Sequence, residues 1–568
     1  MKLKKSIIIL GMTLLSAPIY TSCDLDLAPI DYYGSKNYWN TVSQVETFMN
    51  GMHTYLRSTN FSRQFVLGEA RGGTSKSGTS SLNTSMNYDR IKENNLDKDN
   101  TGITNWNGLY SYIFDCNLLI QSVEGSALQE SNKSEINYFL GQAYGIRALY
   151  YFTLYRTFGG VPLIDRVKVL DGQVSAQDLY TARSTPKEVM DFIKSDLTKS
   201  LEYFGSNETI KGDKAYWSKA ATTMLAAEVY LWSAKVSCQD QTPATDDLTK
   251  AKSYLNTILG DSRFGLCDKF TDIFNVSNKG NKEMIMAIRY ADGEATSSVG
   301  EFVYADPNGF FINTVYGRNG KIIAGDTLQL KGSGWQRNEY DLGLWKSFDA
   351  ADTRRDATFL EYYNKDGSLK GTVLKKNLGY VNSSNKRVFC GDEAVYRYAD
   401  AILMMAEVAN MEGGDVAAYI NRIRERAYGS NWDETLYGYK NSDFKTNELA
   451  ILHERDKEFV NEGKRWFDIV RMKDGKDGKP LAFSAEAAYK DANPILKSNE
   501  EHKLLWPLNV SLLNADPLLE QTRDMKIIDC AIYFKIRLKS DFRQAVYVDI
   551  YSLFFKCSFY QFAILVQS

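Results

Sequence analysis

The sequence predicts a mainly α-helical protein, built from stacked helical hairpins and carrying a loop-rich part for ligand binding. Three observations lead there: a helix signalled at both ends after Thr185, a weak repeat of a helix pair, and two stretches near 72–105 and 291–345 where helical periodicity stops. A chain of 568 residues with 44% hydrophobic content can bury a large core, and a formal charge of −2 offers no field for nucleic acid. Seven cysteines show no CxxC pair, and three histidines leave little for a histidine-based metal site.

The chain opens with Lys2, Lys4 and Lys5, an apolar run over residues 7–17, and the small residues Thr21 and Ser22 before Cys23. This is the pattern of a secretory signal peptide over residues 1–22, too short to span a bilayer as a retained helix. The surroundings of Cys23 are similar to a lipobox, so Cys23 is the expected first mature residue and lipid attachment site, with a lone or disulfide-bonded thiol as the alternative. Acyl chains contribute about 0.8 kcal/mol per buried methylene, enough in number to hold a protein on a membrane.

The first irregular stretch contains "RGGTSKSGTSS" from Arg71. It lacks the GK[ST] ending of a phosphate loop and reads as a surface loop. Beyond it, Ile136, Phe139, Leu140, Ala143, Ile146, Tyr150 and Leu154 recur at helical spacing until Gly159 and Gly160. Thr185 then supplies an N-cap, Pro186 the first helical position and Glu188 the third residue of a capping box. Val189, Ile193, Leu197, Leu201 and Phe204 share one face, and Gly205 is the stop.

The repeat aligns "AYWSKAATTMLAAEVY" from Ala215 with "AVYRYADAILMMAEVA" from Ala394, so that Ala227, Glu228 and Val229 match Ala406, Glu407 and Val408. A second helix follows each, "AKSYLNTI" from Ala251 and "VAAYINRI" from Val416. Small residues facing large ones at this spacing describe helical hairpins of tetratricopeptide type.

Residues 291–345 hold nine glycines and eight aromatic residues, a mixture that helices avoid and exposed ring platforms use. Trp335, in "KGSGWQRN", has no apolar neighbours to bury it locally. With Tyr316 and Phe311 it forms the expected stacking platform, and Tyr88 and Arg90 of the earlier loop are its expected partners. Many of these rings will instead cover the core.

Catalysis has one tempting motif. Glu454, Glu458 and Glu462 stand four residues apart on an expected helix, but glycosidase carboxylates face each other across a sugar, about 5–9.5 Å apart, usually from different elements. Arg455, Lys457, Arg465 and Arg471 interleave with them, which fits an ion-paired bracing helix. "HE" at His453 lacks the second histidine of a zinc protease.

With these blocks laid out, residues 1–525 resemble the SusD/RagB family of outer-membrane nutrient-binding lipoproteins. The resemblance rests on Cys23 followed by "DLDLAP", on "WNGLYSYIFDCNLLI" from Trp106, and on "GQAYGIRALYYFTLYRTFGGVPLI" from Gly141. It continues through "YRYADAILMMAEVAN" from Tyr396, "ERDKEFVNEGKRWFDIVRMK" from Glu454 and "LLWPLNVSLLNADPLLEQ" from Leu504. Asp456 and Lys464 depart from the family pattern. The resemblance implies a SusD-like fold over residues 23–525, no catalysis and no cofactor. It also implies a lipid-anchored protein on the outer surface of the outer membrane, which captures an oligosaccharide for a TonB-dependent transporter of SusC type. A RagB-type peptide ligand is the alternative, and a lipid-anchored glycoside hydrolase a more distant one. Residues 526–568 fall outside the pattern and read as an atypical extension, and their charges interrupt any clean membrane span.

Overall fold

A computed structural model describes residues 38–77, 88–102, 106–171, 175–297, 312–331, 338–490 and 493–522. Cys23, the signal segment, Phe311, Trp335 and the extension after 525 lie outside them, as does the side chain of Tyr88.

The helical half begins with α1 (Val42–Phe61), whose buried Val45, Met49, Met52 and Leu56 fall on one face. A short strand β1 (Ser75–Ser77) and one-turn helix α2 (Tyr88–Lys92) precede α3 (Asn107–Val123) and α4 (Lys133–Phe158). Helix α4 is buried almost all round because α1, α3, α5 (Pro186–Phe204) and α6 (Lys219–Lys235) pack against it. A charged residue can stand inside it only if paired. Arg147 donates both Nε and Nη2 to Asp196 on α5, at 2.8 and 2.7 Å, and Nη1 to Asn117 on α3 at 2.7 Å. Gly145 is needed where α4 meets Trp217, since a Cβ there would lie 2.1 Å from the indole nitrogen.

The signals read at Thr185 hold in detail. Thr185 and Glu188 form a reciprocal capping box, Pro186 opens α5, and Gly205 at φ 50° ends it. The repeat is also real: α6 pairs with α7 (Thr245–Leu259), and α8 (Tyr398–Glu412) pairs with α9 (Ala417–Tyr428), the two hairpins meeting through α7 and α8. The matched glutamates do the same work in each. Glu228 accepts from Arg156 and Glu407 from Arg471, all of them buried.

The second half is made of short antiparallel pairs: β1 with β3 (Asn338–Tyr340), β4 (Phe359–Tyr363) with β5 (Leu369–Leu374), and β2 (Met284–Ile288) with β6 (Glu393–Arg397), which leads into α8. Helices α10 (Phe444–Glu458) and α11 (Arg465–Arg471) complete the core against both halves.

Where the halves meet, Glu458 accepts from Arg354, Arg397 and Arg426, Glu454 from Arg354 and Arg424, and Glu462 from Arg397 and Lys376. Glu283 pairs with Arg397 and Arg426, and Asp352 with Arg354. Five acids thus balance five bases. Burial pushes the Glu458 carboxyl up, but the Arg426, Arg397 and Arg354 guanidiniums outweigh it and hold the group well below the usual carboxylate range. The expected bracing role of these acids is correct; the expected geometry is not. Helix α10 ends at Glu458, so Glu462 sits in the following loop, where Asn461 and Gly463 have positive φ. The partners come from distant segments rather than from interleaved neighbours, because the carboxylates point into the core and away from the face that local pairs would share.

Removing one member of a buried pair leaves charge without compensation, at a cost of about 3–5 kcal/mol. Glu458→Ala should therefore lower the urea unfolding free energy by about that much. A loss no larger than that of an exposed control such as Glu130→Ala would contradict the central place of this carboxylate.

Candidate functional site

After α1 the chain makes a π-helical turn, Ser62–Leu67, and enters a narrow passage. Gly68 lies against Gly463 so closely that a Cβ would stand 2.1 Å from its carbonyl oxygen, and the Gly68 carbonyl accepts from Trp466 N at 2.8 Å. Arg71 follows, buried, its guanidinium 3.9 Å above the Trp466 ring and 5.2 Å from that of Trp506. Its Nε donates to Asn94 Oδ1 at 2.7 Å, and Nη2 donates to the Lys503 carbonyl. Desolvation pulls the Arg71 pKa down to about 9.

This corrects the expectation for the first part of "RGGTSKSGTSS", residues 71–75; residues 78–81 lie outside the described residues. Arg71, Thr74 and Ser75 are buried, as are Ile91, Asn94 and Thr101 of the same stretch. Glycine and serine allow close backbone packing here rather than exposure: a Cβ on Gly72 would lie 2.3 Å from Arg465 Cγ.

The passage delivers β1 to β3, with Ser75 opposite Tyr340, Lys76 opposite Glu339 and Ser77 opposite Asn338. The two irregular stretches, some 260 positions apart in the chain, are thereby joined in one ribbon. Residues 78–87 leave from Ser77 and residues 332–337 arrive at Asn338, the same end of that ribbon. Helix α2 lies beside it, with Lys92 Nζ donating to the Lys76 carbonyl at 3.2 Å; burial lowers the Lys92 pKa to about 8. Arg90 is exposed on α2 and lies 3.6 Å from Asp97.

Tyr316 occupies a different position. It is half-buried and exchanges backbone hydrogen bonds with Tyr363 at the turn end of the β4–β5 hairpin, at 3.0 and 2.8 Å. The ribbon meets that hairpin at its other end, where the Tyr340 and Phe359 rings lie 5.8 Å apart. Four strand residues separate the two places, about 13 Å. The described residues thus bring Arg90 and the ribbon together and set Tyr316 aside.

Sequence reading missed a groove of about 520 Å³ between residues 270–277 and 375–380, walled by Phe274, Leu378 and Tyr380. Tyr380 is exposed and its hydroxyl donates to Asp292 at 2.7 Å. Segments a hundred residues apart and without a shared motif form it, so no local signal could have pointed there.

Among the described residues of the ribbon, no nucleophile stands beside a base. Glu454, Glu458 and Glu462 are buried and ion-paired. Among the described residues, no group of three or more His, Cys, Asp or Glu could hold a metal ion, and no helix is long and apolar enough to cross a membrane.

Comparison with known proteins agrees with this architecture. The family model for the SusD family matches residues 281–524, and that for "starch-binding associating with outer membrane" matches residues 31–231. A SusD superfamily protein from Bacteroides fragilis is 45% identical, with TM-score 0.79, over 86% of this chain and 99% of its own. NanU of B. fragilis is 32% identical, with TM-score 0.73, over 87% and 99%. SusD-like protein P38 of Formosa agariphila is 24% identical over 92% of this chain and 99% of its own length.

Beneath the ribbon, Glu69 is buried beside Thr74 and the 459–464 loop, and desolvation, aided by the Asp456 carboxylate, raises its pKa from 4.5 to about 8. The folded protein then holds a proton that the unfolded chain releases, so stability should fall as pH rises from about 4.5 to about 8. Glu69→Gln removes that dependence. Its stability relative to the parent should climb by a few kcal/mol across the window, and parallel urea-midpoint profiles for the two proteins would refute the assignment.

Proposed function

Because this chain belongs to the SusD family, we propose that it is a glycan-binding protein of the outer membrane surface, which passes its cargo to a SusC-type TonB-dependent transporter. The description of the matching family, starch-binding associating with outer membrane, supports the ligand class and the location. No enzyme family is indicated among these relatives, and binding without chemistry suits a chain whose most suggestive carboxylates are locked in ion pairs.

The β1–β3 ribbon is the observation that carries the site. Trp335 precedes Asn338, the first residue of β3, by three positions in the chain. Tyr88 and Arg90 stand on α2 beside the same ribbon. We assign Trp335 as the ring on which a sugar face stacks and Arg90 as a hydrogen-bond donor to its hydroxyls. Phe311 remains a candidate from its sequence setting, and Tyr316 is a candidate for the far end of a longer glycan, given its distance from the ribbon. A peptide ligand of RagB type finds no specific support in these residues.

Trp335→Ala should weaken glycan binding about ten- to hundredfold, equivalent to roughly 1–3 kcal/mol, without lowering the unfolding midpoint. A glycan array followed by titration of the strongest ligand measures this, and recovery of that ligand at its original chain length separates capture from hydrolysis. Undiminished affinity in the variant would remove Trp335 from the site.

Cys23 is proposed as the lipid attachment point. Metabolic labelling with a palmitate analogue should mark the parent and leave Cys23→Ala unlabelled and released from membranes. Persistent labelling of the variant would place the anchor elsewhere.

A further inference from the structure

A second cavity lies away from the ribbon, where the C-terminal ends of α4 and α6 meet α11 and residues 501–505. It encloses about 300 Å³ and is walled by Tyr155, Arg156, Trp232, Lys473, Phe483 and Leu504. Its lining is unbalanced. Arg156 Nε and Trp232 Nε1 are buried donors with no acceptor among the described residues. The guanidinium carbon is 5.8 Å from the indole centroid. Arg156 cannot turn to find another acceptor, because Nη1 is held by Glu228 and its guanidinium carbon lies 4.2 Å from the Phe152 ring centroid and 3.9 Å from that of Phe467.

The charge is unbalanced as well. At the mouth, Lys479 is satisfied by Glu501 at 2.9 Å. Lys473 is half-buried in the wall and has no carboxylate within ion-pair distance among the described residues. Burial and the nearby Lys235 cation outweigh the more distant Asp477 and Glu448 carboxylates and hold its pKa below the ordinary lysine value. A trapped water would satisfy one of the donors but would bring no negative charge into direct contact with Lys473.

We propose that this cavity binds one small carboxylated molecule, with its carboxylate at Lys473, further acceptor atoms toward Arg156 and Trp232, and an apolar ring face against Trp232 and Phe483. The chemistry follows from the surplus of donors and positive charge beside aromatic walls. The volume stands at the low end of small-molecule sites, roughly 300–1,000 Å³, which fits a single-ring acid rather than a polymer.

Two matched pairs of probes test the proposal by calorimetric titration of the full chain: galacturonate against galactose, and phenylacetate against phenylacetamide. At least one acid should bind one to one and exceed its neutral partner by about tenfold or more. Lys473→Met should abolish that preference, and Trp232→Phe, which keeps a ring but removes the N–H, should weaken the acid several-fold, each with an unchanged unfolding midpoint. Failure of both acids to bind, equal affinity for acid and neutral partner, or an acid preference that survives Lys473→Met would each overturn it. If Lys473→Met lowers the midpoint, Trp232→Phe decides alone.

Discussion

The architecture depends on a charge-balanced knot in the core centred on Glu458. A carboxylate removed from water is tolerable only when cations surround it, and those cations come from the one-turn helix at Arg354, the end of β6 at Arg397 and helix α9 at Arg426. Each partner belongs to a different segment, so satisfying Glu458 sets their mutual positions. Such pairs add little net stability compared with an apolar core. Their effect here is on register: any other docking of the two halves would strand several charges.

A second set of buried pairs extends the constraint. Lys235 joins Glu407 and Glu448, Arg471 joins Glu407 and Asp468, and Arg455 joins Asp468 and Asp400. The two departures from the family pattern fall in this region and are accommodated there. Lys464 reaches Asp400 and the Val395 carbonyl, each at 2.8 Å, and Asp456 accepts from Arg465 and from the Tyr489 hydroxyl. The loop that carries Glu462 is therefore pinned on both sides, and the passage from Gly68 to Thr74 is packed against it.

Under the proposed function, that rigidity has a use at the ribbon. Loops that recognise a ligand contribute most when their stems do not move, because each ordered side chain then costs less entropy on binding. The stem of the first loop is clamped by Arg71 between two indoles, and the stem of the second pairs with it through β3.

The helical half was legible because its signals are local. Thr185, Pro186, Glu188 and Gly205 mark a helix through hydrogen bonds and dihedral angles made within a few residues, and the Glu228 and Glu407 repeat shows itself through spacing alone. Local chemistry is also the whole basis of the Cys23 anchor and of the choice of Trp335 and Arg90, which stand as proposals. What tertiary structure decided is which distant segments meet. "RGGTSKS" resembles a solvent-facing loop by composition, yet its backbone finds a partner strand about 260 residues away, and backbone pairing leaves no mark on side-chain identity. Likewise, the spacing of Glu454, Glu458 and Glu462 suggested one helix face, whereas their cations come from elsewhere and the helix stops at Glu458. Periodicity is written into a sequence residue by residue; long-range pairing is settled only when the core finds an arrangement in which carboxylates such as Glu458 meet their cations.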